Sequence, residues 1–313
     1  MSRMLTGNFV QSVTPGLRKQ YFSTLQNIAK EFRQVFNITP ENPGYGAGLN
    51  FFEDLRVASF GTFAQKPQGN PISYDTAVEE TKVRYTPYTF GLGYRITEEM
   101  QEDELYGMVD QLTVELGMAA LHQLEVQSFR VLNNAFITTG GGTGLTVTGF
   151  NNEALISTSH ALVRGGTTRN RASTDLDLGV TSLEAAIDIF ETNVNDSNMP
   201  VPIKPAVLLV PPQLKWVAKE LTESELKPFT GNNEVNPLGG EGLQYMVVHY
   251  FSSAQTWMLL GPKAQHDLNV WIRRQPRIQV GDDFDTGDAK VKGSFRCAAG
   301  HGDFRGVFGS LGQ

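Results

Sequence analysis

Apolar residues change rhythm several times along this chain, and each rhythm predicts a different element. Leu17, Tyr21, Leu25, Ile28, Phe32 and Val35 recur at steps of three or four, the period of one helix face. Thr14 followed by Pro15 supplies a cap and a proline at the first helical position, so a helix is expected from there to about Asn37. Its polar face carries Arg18, Lys19, Lys30 and Arg33. That face would suit a membrane surface, but docking on protein is the better reading. "TPENPGYGAGLN" then breaks the pattern as an irregular linker.

Between residues 51 and 96 the period shortens to two. "RVASFGTF" is rich in β-formers, "AQKPQGNPISYD" is a polar tip, and Val83, Tyr85, then Tyr88, Phe90, Leu92, Tyr94 and Ile96 alternate on the way back. A long β-hairpin is expected, with Pro87 at a switch of phase that suits a bulge or an edge. A two-stranded ribbon of this length is marginal alone, so its aromatics are expected to lie on something outside the hairpin.

Thr97 caps the next run, with Glu98, Glu99, Glu102 and Asp103 where the helix dipole favours negative charge. Leu105, Val109, Leu112, Leu116, Ala119, Leu124, Phe129, Leu132 and Phe136 continue a helical stripe. The pattern predicts one helix over 97–138, roughly 40 residues and about 60 Å long, which is more than a small domain needs.

"TTGGGTGLTVTGFNNEALISTSHALVRGGTTRNRASTDLDLG" is turn-rich, after which Thr181 and Glu184 read as a capping box for a helix with Leu183, Ala186, Ile187 and Phe190 inward. A buried strand, a Pro-Pro break and a helix follow in "PAVLLVPPQLKWVAKEL". Strands are expected at "YMVVHYF", "TWMLLG", "LNVWIRRQPRIQV", "KVKGSFRCAAG" and "FRGVFGS". The sum is α+β, without βαβ regularity or internal repeats.

Composition narrows the chemistry. The apolar fraction of 40% over 313 residues supports a sizeable core, and no window approaches the ~18 apolar residues of a membrane span, so cytoplasmic folding is the default expectation. One cysteine, Cys297, excludes an internal disulfide framework and a multi-thiolate metal site. The balance of 26 basic against 33 acidic residues argues against a protein that grips nucleic acid through many phosphates.

His122, His160, His249, His266 and His301 form no metal-binding spacing, so no metal and no cofactor is expected. "GGGTG" at 140–144 lacks the lysine of a phosphate loop and reads as the exit from the long helix. "GDDFDTGD" at 281–288 fails the EF-hand pattern. With Asp283 as first ligand, the sixth position is Asp288 rather than glycine and the twelfth is Ser294. Ser157, Ser159 and His160 bring hydroxyls and an imidazole together, yet no nucleophile elbow, orienting group or oxyanion hole accompanies them. No catalytic residue is assigned.

Taken in order, "YTFGLGYRITEEMQEDELYG", "ALISTSHALVRGGTTRNR", "TSLEAAIDIF", "KPAVLLVPPQLKWVAKEL", "EVNPLGG", "TWMLLGPK" and "GDFRGVFGS" give the chain a family likeness. It resembles the major head proteins of tailed bacteriophages, in particular the Mu-like major head subunit family. Ile156 and Ala161 stand where that family's pattern often has an aromatic and a proline.

The resemblance implies the HK97-like capsid fold. Residues 1–50 would be the N-terminal arm, 51–96 the extended E-loop and 97–177 the peripheral domain with its spine helix 97–138. Residues 178–255 would be the axial domain and 256–313 the return strands of the peripheral domain with the C-terminus.

It also implies a non-enzymatic role. Hexamers and pentamers would close an icosahedral shell around double-stranded DNA in the virion, after assembly in the host bacterial cytoplasm. A separate scaffolding protein, a portal and a decoration protein are the implied partners, with no membrane. Contacts between subunits are expected from Phe60, Phe63, Lys66, Tyr74, Tyr85, Tyr88, Phe90, Arg164, Arg169 and Arg171. Lys66 near the tip is read as a solvated charge, not as a cross-linking residue. The alternatives are an encapsulin-like compartment enclosing protein and a soluble hydrolase using Ser157 or Ser159 with His160.

Overall fold

The computed structural model describes residues 18–23, 25–26, 30–39, 49–58, 60–97, 99–100, 103, 108–142, 144–224, 235–283 and 287–313. In chain order the first elements are α1 (Phe32–Val35), β1 (Asn37–Thr39), β2 (Phe52–Asp54), β3 (Val57–Ala58), β4 (Val78–Glu79), β5 (Val83–Tyr85), β6 (Tyr88–Ile96) and α2 (Met108–Asn133). After them come β7 (His160–Ala161), β8 (Thr167–Thr168), α3 (Val180–Glu191), β9 (Val207–Val210), α4 (Lys215–Glu223), β10 (Gln244–Val247), β11 (Trp257–Leu260), β12 (Leu268–Asp282), β13 (Ala289–His301) and β14 (Val307–Ser310).

Two four-stranded sheets organise the chain. The first runs β1-β12-β13-β6, antiparallel except where β1 lies parallel to β12. Val291, Phe295 and Cys297 alternate along β13 and point at α2, where Leu116, Leu124, Phe129 and Leu132 meet them. The second runs β10-β9-β11-β14 and is apolar on both faces. Leu209, Met258, Leu260 and Val307 join the core around the end of α2. Their neighbours Leu208, Val210, Trp257, Leu259 and Phe308 pack under α3 and α4. Strands covered on both sides lose polar alternation, which is why "VLLV" and "WMLL" read as unbroken apolar runs.

Several sequence expectations are corrected. The helix expected from residue 14 to 37 is not continuous, because Lys30 lies outside any helix, Glu31 is the cap position of the separate short helix α1, and Asn37 already belongs to β1. The break has a cause. Buried Glu125 Oε2 accepts the Phe32 N–H at 2.9 Å, while Glu31 turns outward to the His249 backbone and ring. Residues 14–17, 24 and 27–29 of that expected helix lie outside the described residues.

The long helix is described over 26 residues, about 39 Å at 1.5 Å per residue, and at the predicted cap Thr97 Oγ1 accepts the Met100 N–H. Residues 98, 101–102 and 104–107 of the predicted helix lie outside the described residues. Its end comes at Asn133, earlier than 138. The Asn134 side chain competes for the Arg130 carbonyl, and Ala135 N–H tightens onto Leu132. The capping box of Thr181 and Glu184 is replaced by Ser182, whose Oγ accepts the Gly179 N–H, so α3 starts at Val180.

Nor do residues 256–313 form a single return. β12 and β13 build the first sheet, whereas β11 and β14 pair with each other and with β9 in the second.

Candidate functional site

The hairpin predicted over 51–96 is shorter than expected: its pairing ends at Tyr85, because β6 leaves it to pair with β13, and it divides into a buried base and an exposed tip. At the base β2 pairs with β5 and β3 with β4. Phe52 stacks on Trp271 at 4.9 Å and Tyr85 tilts against the same indole at 5.7 Å. Tyr85 is 0% exposed, so it is corrected from a subunit contact to a core residue: pairing with β2 folds its ring onto the first sheet. Phe90 is likewise taken inward, stacked on Phe295 at 5.3 Å once β6 pairs with β13. Pro87 separates the two pairings as expected, and its carbonyl accepts from Arg296 Nε.

A cluster of charges fastens this base to the rest of the subunit. Arg56 reaches Asp196 at 2.8 Å and Asp303 at 2.5 Å, and Arg305 holds the same two carboxylates at 2.9 and 3.1 Å. Glu80 lies 3.6 Å from Arg56, too far for a good hydrogen bond. Burial pushes its carboxyl up to about 7, outweighing the pull of Arg56. Sequence reading missed this cluster, whose members are brought together from four separate segments.

Beyond Ala58 and before Val78 the described hairpin has no regular pairing. Phe60, Phe63 and Tyr74 are 60%, 106% and 89% exposed, with Ile72 beside them and Lys66 also in solvent. Tyr88 is partly open at the start of β6, and Leu92, at 61% exposure, borders an apolar groove between β6 and α2 lined by Leu116, Ala119 and Phe295. Monomeric proteins seldom leave so many large apolar side chains on one projection.

The three arginines of the 154–171 loop find partners within the chain. Arg164 bonds Asp75 at 2.9 Å and the Thr76 carbonyl at 2.7 Å on the returning arm of its own hairpin. Arg169 donates to Ser173, and Arg171 forms a forked pair with Asp175 over the Phe136 ring. Arg164 thus orients the tip rather than leaving it free.

The Ser-Thr-Ser-His run is packing. Ser157 Oγ donates to the Ser159 carbonyl and accepts the Ser159 N–H, closing a local turn. His160 is fully buried and stacked at 3.7 Å on Phe304. Its Nε2 donates to Asn170 Oδ1 while Nδ1 accepts from Asn151, so the ring is neutral, and burial lowers its pKa to about 4. Its 3.0 Å approach to Glu153 is therefore not an ion pair at neutral pH. Asn170 gives its amide protons to the carbonyls of Leu155, Phe304 and Val307, tying the loop to the C-terminal turn. The Ser157 hydroxyl is engaged by the Ser159 backbone and both His160 ring nitrogens by asparagines, so the parts of a nucleophilic site are not assembled.

Among the described residues no group of three or more His, Cys, Asp or Glu is placed to hold a metal ion, and no helix is long and apolar enough to cross a membrane. In "GDDFDTGD", Asp283 pairs with Lys290 and Asp288 with Arg95 at the turn between β12 and β13. Asp285 lies outside the described residues.

Two sheets, a long helix along one of them and an arm with a bare apolar tip make up the fold. The fold is similar to that of a Microbacterium phage Oxtober96 chain, with TM-score 0.58 and 9% identity over 91% of this chain and 92% of that one. It is also similar to the capsid structure of Cyanophage P-SCSP1u, with TM-score 0.60 and 11% identity over 91% and 88%. The virus-like particle from Pyrococcus furiosus matches with TM-score 0.52 and 10% identity over 95% and 98%. Residues 79–309 match the family model described as phage capsid protein, and the chain belongs to that family. No curated protein matches it in sequence.

Proposed function

We propose that the chain is the major head subunit of a tailed bacteriophage, of the Mu-like kind, assembling as hexamers and pentamers into an icosahedral shell around double-stranded DNA. The observation that carries this reading is the bare apolar tip of a hairpin whose base packs into the chain's own core. In this reading the hairpin is the E-loop, laid over an adjacent subunit, and α2 is the spine. The sheet β10-β9-β11-β14 with α3 and α4 is the axial domain, and the segment before residue 50 is the arm.

Each interface contributes modestly, because apolar burial yields roughly 25 cal/mol per Å², but a closed shell repeats it at every subunit. The acidic balance fits a wall that confines DNA without gripping it. Assembly would take place in the bacterial cytoplasm with a separate scaffolding protein and a portal, and with a decoration protein on the finished virion.

Electron microscopy of particles from expressing cells tests the proposal. Closed shells with five- and six-fold rings are expected, holding nuclease-protected DNA when the packaging apparatus is supplied. A protein that stays small under every assembly condition would contradict it, and shells that enclose only protein would favour the encapsulin-like compartment.

A further inference from the structure

The two faces of the first sheet are covered differently. One lies on α2. On the opposite face, Trp271 and Ala298 are covered by the hairpin base. Further along that face, pairing sets Arg274 opposite Arg296, Arg277 opposite Ser294, Lys292 beside Gly93, and Lys290 beside Arg95. Six cations therefore share one patch of a chain with only 26 basic residues against 33 acidic ones.

Asp288 and Asp283 answer Arg95 and Lys290 at one end. Among the described residues no carboxylate pairs with Arg274, Arg277, Lys292 or Arg296. Arg274 Nε has no hydrogen-bond partner, and burial together with the charges of Arg277 and Arg296 lowers its pKa. Like charges packed this closely repel unless something anionic covers them. The strand beside them is stripped of side chains: Gly91 and Gly93 turn their backbone to the same face, and a Cβ at Gly93 would come within 2.7 Å of the Val291 carbonyl. Glycine inside a strand marks a place where another chain can come close.

We infer that this basic face receives Glu99 and Asp103 of a second copy of the chain, joining the sheet of one subunit to the acidic segment that follows β6 in the next. The inference rests on the shell reading for its second copy. In sequence these two acidic residues stand among five carboxylates in the seven positions 98–104. Glu99 and Asp103 are exposed and one helical turn apart, with the Asp103 N–H bonded to the Glu99 carbonyl. Side chains so spaced lie about 5–6 Å apart, close to the ~6.8 Å between alternate residues such as Lys290 and Lys292 on a strand face. Duplex DNA is the rival polyanion. The net charge of −7 opposes its approach to the subunit, while the same imbalance makes the rest of each copy complementary to the patch.

Charge reversal decides the matter. Arg277→Glu with Lys292→Glu should give subunits that melt as wild type but form at least tenfold fewer shells, and Glu99→Lys with Asp103→Lys should do the same. All four changes in one chain should restore shells, because both sides of the contact are then reversed together. Three results would overturn the interface alone while wild type still forms shells. One is normal assembly of the first variant with reduced DNA content, which would assign the face to DNA. Another is a shifted melting temperature of the unassembled subunit that the four changes repair without restoring shells, which would place the contact inside one chain. The third is no rescue of any kind. If wild type itself forms no shells, the shell reading fails and the interface with it.

Discussion

The base and the tip of the hairpin are one stretch of chain with similar residue types and opposite fates. Tyr85 is wholly buried against Trp271, and Arg56 is held by two carboxylates from elsewhere in the subunit. Phe63 and Tyr74, a few residues further out, touch nothing comparable and stand in solvent. Aromatic content alone therefore does not say whether a ribbon belongs to its own subunit or to a neighbour. What separates the two is whether a sheet face lies within reach: the first sheet extends under β2 and β5 and stops short of residues 60–77.

If that division is right, variants at the base should damage the subunit and variants at the tip should damage only assembly. The largest effect is expected from Tyr85→Ala, which empties a buried aromatic site and should cost about 3–5 kcal/mol in chemical denaturation. A loss below about 1 kcal/mol would mean that Tyr85 does not anchor the base. Arg56→Ala should follow. It leaves Asp196 and Asp303 with Arg305 alone, and breaking a buried pair in this way costs on the order of 3 kcal/mol. Proteolysis at the hairpin base should accelerate in parallel, and unchanged cleavage would show that the cluster is not a fastening.

Glu80→Gln gives a smaller effect that depends on pH. The folded protein holds the Glu80 proton up to about pH 7 whereas the unfolded chain releases it near 4.5, so this group lowers stability progressively as pH rises between those values. Relative to wild type, the glutamine variant should be the more stable at pH 8 and lose that advantage by pH 4. A difference independent of pH would refute the assignment. Smallest of all, Phe63→Ala should leave the melting temperature of the isolated subunit within about 1 °C, since a fully exposed side chain contributes little to the fold.

Much of this architecture is written locally. The alternation from Tyr88 to Ile96, the hydrogen bond of Thr97 to the Met100 N–H and the apolar stripe of α2 each follow from residues close in sequence, and each is present. Other features depend on partners far along the chain. The break at Lys30–Glu31 exists because Glu125, 93 residues beyond Phe32, takes its N–H, and Arg56 meets Asp196 across 140 residues. The basic face depends on register. Arg274, Arg277, Lys292 and Arg296 share a surface only because two irregularities around Arg274 shift β12 against β13. The "ALISTSHALV" segment is legible in the opposite sense, since its apolar members are the informative ones. Leu155 and Ile156 lie in the main core, and a Cβ at Gly309 would collide with Ile156 at 2.3 Å.

Deleting residues 64–76 is the most direct test of the claim that the tip belongs to the neighbour, with thermal melting and negative-stain microscopy read on the same preparation. The account predicts soluble subunits that melt within a few degrees of wild type and do not close into stable shells. Normal particles from the deleted chain, or a subunit that no longer folds, would contradict it.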